Sequence, residues 1–177
     1  MAATFILQPT LSNALITAIP LQAAHFEALY AVASDPLIWA QHPNPLRYQL
    51  PAFTAYFEGA ILSQGALLIH DAASGSIIGS TRYSRLVPGV SVDVGYTFYS
   101  RAYWGQGHNH SLKRMMITHA FEYVQLVQFY IGALNLRSQI SIERLGATKT
   151  DEVLMAYHGE PDMLNFKYVI HKADWAG

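Results

Sequence analysis

One stretch constrains this chain more than any other: Val92 to Val124, VDVGYTFYSRAYWGQGHNHSLKRMMITHAFEYV. Its first residues alternate. Val92, Val94, Tyr96 and Phe98 are set to one side of a strand, and Asp93, Gly95, Thr97 and Tyr99 to the other. A glycine loop follows, Tyr103-Trp104-Gly105-Gln106-Gly107-His108-Asn109. Beyond it Leu112, Met115, Met116, His119 and Tyr123 recur at helical spacing. A strand that turns through glycines into a helix makes an anion seat, because free backbone N–H groups and the positive end of the helix dipole meet where no side chain blocks approach. A pyrophosphate is the anion expected there. The glycine pair alone is a weak signal: most such pairs only make a turn, and neither the full dinucleotide fingerprint nor a P-loop lysine accompanies it.

The other elements follow from hydrophobic pattern and turn chemistry. Ala14 to Ile19 reads as a strand closed by Pro20, and Leu21 to Ala33 as a helix broken at Asp35-Pro36. Ala52 to Ser63 is a second amphipathic helix. Gly65 to His70 and Ile77 to Tyr83 are strands joined by a hairpin turn over Asp71 to Ser76. Val87-Pro88-Gly89 turns into the strand described above. After the long helix, Val127 to Leu134 is a strand. Asn135 is placed to cap a helix, Leu136 to Leu145, that Gly146 stops. Ala147 to Tyr157 and Leu164 to His171 are the last strands, turned at Gly159-Glu160-Pro161-Asp162. This order predicts one domain over residues 1–177, mixed α/β, with a largely antiparallel sheet flanked by helices and at least one crossover. Leu37 to Pro51, with Trp39, His42, Pro43, Pro45 and Tyr48, is a loop or short helix. It reads either as packing over the core or as one wall of a substrate cleft.

Composition narrows the function classes. Hydrophobic residues make up 51% and charged residues 13%, so a packed core is expected rather than disorder. With net charge −1 and eleven scattered basic residues, a broad electrostatic grip on nucleic acid or on an anionic membrane is not expected. The absence of cysteine removes disulfides, thiolate metal sites and a cysteine nucleophile, and fits a reducing cytoplasm. The first basic residue is Arg47, so no secretory leader is expected. The apolar run Ala14 to Ala33 is interrupted by Pro20, Gln22, His25 and Glu27, which disfavours a membrane span. His108-x-His110 lacks a four-residue helical partner and no carboxylate lies close by, so no metal site is expected. No G-x-S-x-G elbow suggests a serine hydrolase.

A second signal follows the glycine loop at a telling distance: Asn135-x-x-Ser138, then Glu143-Arg144-Leu145-Gly146-Ala147. Together with Ile77-Ile78-Gly79-Ser80-Thr81-Arg82, Val92-Asp93-Val94-Gly95-Tyr96-Thr97, Tyr103-Trp104-Gly105-Gln106-Gly107 and His119-Ala120-Phe121-Glu122, these segments resemble the GNAT N-acetyltransferase superfamily. The resemblance is nearest to the branch of ribosomal-protein alanine N-acetyltransferases and spans roughly residues 12–172 in the family's order. It implies a V-shaped opening for acetyl-CoA, an amine acceptor, and direct acetyl transfer in the cytoplasm. By analogy a homodimer is compatible with it. The backbone of Thr97, Phe98 and Tyr99 would pair with the pantetheine arm. The N–H groups of Trp104, Gly105, Gln106, Gly107, His108 and Asn109 would hold the pyrophosphate. Asn135 would bond the pantetheine or position Ser138. One departure stands out: the family's loop usually begins with Gln or Arg and ends in Gly or Ala, where this chain has Trp104 and Asn109.

The reaction needs a base for the acceptor ammonium, a donor for the oxyanion, which a backbone N–H of the strand can supply, and a proton for the leaving thiolate. Ser138 is the candidate acid by resemblance, or else only a helix-capping residue. Tyr157 is a second donor candidate, or a packing residue. Asp93 is the first candidate base, on the same strand face as Gly95 and Thr97, where partial burial would raise its pKa; the structural alternative is a salt bridge to Arg82 or Arg85. His42 and His70 are weaker base candidates. His108 and His110 either meet phosphate or crown the helix. The alternative function is a non-catalytic acyl-CoA-binding or interaction module on the same fold.

Overall fold

The computed structural model describes residues 4–177. Eight strands form one sheet: β1 (Leu11–Ser12), β2 (Ile16–Pro20), β3 (Ala66–Asp71), β4 (Ile77–Val87), β5 (Ser91–Tyr99), β6 (Leu126–Gly132), β7 (Thr148–Met155) and β8 (Met163–His171), in the order β1-β2-β3-β4-β5-β6-β8-β7. Among the described residues only β5 and β6 are parallel, and the helix between them, α3 (His108–Phe121), is the crossover that a parallel pair requires. The other helices are α1 (Phe26–Ala33), α2 (Leu50–Leu62) and α4 (Leu136–Glu143). The order of elements is the one the sequence predicts, with the two-residue β1 added. The first helix differs at its start. Its expected first turn is a 3-10 turn over Ala23–His25, leaving α1 only from Phe26. No helix among the described residues is long and apolar enough to cross a membrane.

Each face of the sheet carries its own core. On one face Leu112, Met116, Ile117, Ala120 and Phe121 of α3 pack against Val92, Val94, Tyr83 and Val127 of the strands. On the other, Leu29 and Ala33 of α1 and Phe53, Tyr56 and Phe57 of α2 pack against Leu68 and Phe98. Phe98 therefore lies on the opposite face from Val92 and Val94, against the simple alternation expected of β5. The cause is a bulge. Arg82 stands opposite Gly95 and Ser80 opposite Phe98, so two steps along β4 match three along β5. The extra residue is accommodated at Tyr96, whose φ is +54, a left-handed conformation uncommon for a non-glycine residue. The Tyr56 hydroxyl of α2 donates to the Tyr96 carbonyl at 2.8 Å and holds it there. Past the bulge the phase is reversed. Thr97 now meets α3, while Asp93, before the bulge, faces the α2 side, so the two do not share a face as expected.

β5 and β6 pair only from Ser91 to Asp93 and from Leu126 to Gln128. Beyond those residues β5 continues with β4 and β6 with β8, so the sheet splays open with Asp93 near the vertex. Residues 37–51, the aromatic segment between α1 and α2, form a strap across this gap. Trp39 packs on Phe98 with ring centroids 4.9 Å apart, the Ile38 carbonyl accepts from Arg137 of α4 at 3.1 Å, and Pro43 lies against Gly132 at the end of β6. The contact at Gly132 is close enough to test. A Cβ there would sit 2.3 Å from Pro43 Cγ, so Gly132→Ala must displace the strap. Overpacking of this kind costs about 1–3 kcal/mol. The expected result is a Tm roughly 2–12 °C lower in a thermal melt; an unchanged Tm would mean the strap yields freely.

Candidate active site

The gap holds a cavity of about 860 Å³. At one end is the glycine loop. Gly105 and Gly107 have φ +74 and +85, and Gly107 is the N-cap of α3. Their left-handed conformation turns successive N–H groups inward, which is the geometry of an anion nest. Among the described residues the N–H groups of Gly105, Gln106, Gly107, His108, Asn109 and His110 meet no backbone carbonyl. The N–H of Trp104 does: it donates to the Arg101 carbonyl at 3.1 Å, so the expected seat loses its first member and extends one residue further, to His110. Two side chains of the loop also turn away from the cavity. Gln106 Nε2 donates to the Ala102 carbonyl, and the buried His108 ring meets Asp71 of β3 at 3.2 Å. The expectation that no carboxylate lies near His108 fails because the partner comes from a strand 37 residues earlier. Among the described residues no group of three or more metal-ligating side chains accompanies that pair.

The middle of the cavity is the open edge of β5. Ser100 donates to the Ile78 carbonyl at 2.7 Å, and the Phe98 carbonyl points at Gly79 so closely that a Cβ on Gly79 would lie 2.0 Å from it. Phe98 therefore spends its backbone groups on β4, contrary to expectation, and the two-residue alternation leaves Thr97 and Tyr99 facing the gap. The Tyr99 carbonyl already accepts from Trp104 Nε1 at 3.2 Å. Two buried polar atoms of cavity-lining residues lack a partner, Tyr99 Oη and Asn109 Oδ1. The Tyr99 pKa is driven well up by burial, so its hydroxyl stays protonated. Across the gap, Asn135 Oδ1 accepts from the Ser138 N–H at 3.2 Å, capping α4, while no protein partner engages the Ser138 hydroxyl among the described residues. Of the two roles expected for Asn135, this is the positioning one.

Lys113 was not legible as a site residue. It is buried on α3, donates to Thr97 Oγ1 at 2.5 Å and more weakly to Thr81 Oγ1, and meets no carboxylate among the described residues; burial lowers its pKa to about 7.

The far end lies on the α2 face, walled by the strap and by the β7–β8 hairpin. These two walls are tied by a buried ion pair. Arg47 Nε and Nη2 reach Glu160 Oε1 at 2.7 and 2.6 Å, with the side chains 2% and 5% exposed. Arg47 Nη1 also donates to His42 Nε2 at 3.1 Å. Burial and the Arg47 charge push the His42 pKa well down, and its free lone pair is already used, which removes it as a base. His70, on β3, does not line the cavity. The Tyr157 hydroxyl donates to Asn165 Oδ1 at 2.7 Å, and burial raises its pKa. Arg82 lies over Tyr96 at 4.0 Å from the ring centroid and donates to the carbonyls of Gly59 and Tyr56. Asp93 is buried and pairs with Arg85, not Arg82. Burial raises its pKa, and the Arg85 charge offsets part of that rise. The structure thus brings Asp93, Ser138, Tyr157, Thr97, Phe98, Tyr99, Trp104, Gly105, Gly107, Asn109 and Asn135 to one cavity, and leaves Gln106 and His108 outside its lining.

A family model described as an acetyltransferase (GNAT) domain matches residues 16–148. No curated protein matches the sequence. Among solved structures, the chain is similar to a GCN5-related N-acetyltransferase from Brucella melitensis, with 17% identity, TM-score 0.77 and coverage of 95% of this chain and 80% of that one. It is also similar to Mycobacterium smegmatis RimJ, solved with CoA-disulfide, at 12% identity and TM-score 0.71 over 92% and 84% of the two chains. A third is the spermidine N-acetyltransferase of Vibrio cholerae, solved with CoA and spermine, at 11% identity and TM-score 0.69 over 93% and 100%.

Proposed function

The chain belongs to the GNAT acetyltransferase family, and from that membership we propose that it moves an acetyl group from acetyl-CoA directly to an amine held at the arginine- and tyrosine-lined end of the cavity. The observation that carries this reading is the gap itself. Pairing of β5 with β6 stops at Asp93, and the opening runs from a nest of free N–H groups to a buried carboxylate. Two structural neighbours solved with CoA-disulfide and with CoA support CoA as the acetyl carrier in this reading.

Acetyl-CoA would supply an activated carbonyl and a thiolate leaving group. The rest falls to the chain. The N–H groups of Gly105 to His110 hold the pyrophosphate at the positive end of α3. Thr97 and the N–H of Tyr99 align the pantetheine as an added strand. Asp93 takes a proton from the acceptor ammonium, directly or through one water, and a pKa raised by burial suits it to that task. Ser138 donates to the thiolate, its hydroxyl being uncommitted, whereas Tyr157 would first have to leave Asn165. The cysteine-free composition fits the cytoplasmic setting of this reading.

Thiol release from acetyl-CoA on adding a panel of amines tests the reaction, and a thermal shift with acetyl-CoA tests the site. A thermal shift without turnover on any amine would leave only a non-catalytic acyl-CoA-binding module, and no shift would remove both readings. Ser138→Ala is expected to lower kcat about 10²- to 10⁴-fold with acetyl-CoA affinity near normal. Unchanged kcat would make Ser138 a helix-capping residue only.

A further inference from the structure

Resting on the acetyl-transfer reading, we infer that the acceptor is an amine carrying a carboxylate beside it, as in a free α-amino acid, and that Arg85 is the residue that reads that carboxylate. Among the described residues lining the cavity, Asp93 is the only carboxylate, and Arg47, Arg85, Arg137, Arg144 and Lys113 line it as well. With Arg47 paired to Glu160, Arg85 to Asp93 and the Lys113 charge disfavoured by burial, Arg137 and Arg144 leave an excess of positive charge, and the field inside favours an anionic group and opposes a polycation. Not all of these cations are free to act. The Arg47 nitrogens are all taken by Glu160 and His42. Arg137 donates to the Ile38 carbonyl and stacks at 3.9 Å over Trp104, beside the cofactor half.

Arg85 differs in three ways. Only its Nε is engaged, by Asp93; its two terminal nitrogens have no partner among the described residues, and the side chain is 52% exposed. Its guanidinium plane is supported by Tyr130 of β6, 4.1 Å from the ring centroid, so the open edge is fixed in direction. Its backbone is strained toward this placement. The register of β4 on β5 shifts between Ser84 and Val87, and Arg85 there has φ +45. A bulge re-aims a side chain, and a non-glycine residue is held left-handed only where surrounding structure demands it. Here the result is a guanidinium lying against Asp93 at the vertex of the splayed strands.

An ammonium beside a carboxylate complements this ion pair head to tail. The ammonium meets Asp93, and the carboxylate takes the paired N–H groups of the Arg85 fork. The same contact helps the chemistry. A second carboxylate sharing Arg85 weakens its hold on Asp93 and leaves Asp93 the stronger base.

The test compares common α-amino acids with their carboxamides and methyl esters, with spermidine as the polycation, by thiol release at saturating acetyl-CoA. The expected result is that kcat/KM for the preferred amino acid exceeds that of its carboxamide and its ester at least tenfold. In Arg85→Met that ratio should fall toward one, and Arg85→Lys should restore part of it, with the acetyl-CoA thermal shift kept in both. The ratio is read rather than the rate, because Arg85→Met also strips Asp93 of its partner. Equal or better turnover of the carboxamide, preference for spermidine, or an unchanged ratio in Arg85→Met overturns the inference while acetyl transfer stands. Absence of both thermal shift and thiol release overturns acetyl transfer as well.

Discussion

Gly107→Val is expected to lower acetyl-CoA affinity on the order of 100-fold or more. Gly107 sits at φ +85, where a left-handed valine costs roughly 1–3 kcal/mol. The free protein can relieve that strain by shifting the loop, because the nearest atom to a Cβ at this position is Leu15 Cδ1 at 3.9 Å. Binding must then restore the strained loop or forgo N–H groups that face the pyrophosphate, each worth about 1.5–3 kcal/mol when the acceptor is charged. At about 1.4 kcal/mol per tenfold, forgoing two such N–H groups reaches the stated loss, and restoring the strained loop reaches it at the upper end of its cost. Calorimetry or the acetyl-CoA thermal shift reads it. The melting temperature without ligand should fall little, since no core contact is removed. An affinity within threefold of the parent, about 0.65 kcal/mol, would place the cofactor elsewhere.

Asp93→Asn is expected to lower kcat about 10²- to 10⁴-fold, the range general-base catalysis supplies, with acetyl-CoA affinity kept. The asparagine keeps the shape and can still accept from Arg85, so lost rate reports the missing basicity. The sign of the pH effect follows from the direction of the shift. A base works deprotonated, so activity falls as pH drops through the Asp93 pKa. Burial raises that pKa, so the loss sets in at higher pH than for an exposed aspartate near about 3.9. The variant should lose this acid limb of the kcat profile. A rate and acid limb both unchanged would reduce Asp93 to a residue that positions Arg85.

The glycine loop, the helix after it and the N-cap at Asn135 were open to reading from the sequence because each depends on local chemistry. Left-handed glycines, free N–H groups and a side chain bonding three residues ahead all act within a few residues of themselves. The mixed sheet with its crossover followed from the order of periodic segments. Errors began where strands meet. The bulge at Tyr96 is imposed by its register against β4 and by the Tyr56 hydroxyl from α2. No property of VDVGYTFY announces it, so simple alternation puts Phe98 on the wrong face.

The same division holds across the site. By itself the sequence determined where glycines and a helix end would leave backbone N–H groups free and which family of folds would carry them, because backbone conformation near glycine and helix ends is a short-range property. Only the tertiary structure decided what surrounds the reacting groups. It joined Arg47 to Glu160 across 113 residues, His108 to Asp71 across 37, and chose Arg85 over Arg82 for Asp93 through a bulge in the neighbouring strand. Pairings of that kind depend on which side chains lose water together, and that is set by packing between segments far apart in the chain.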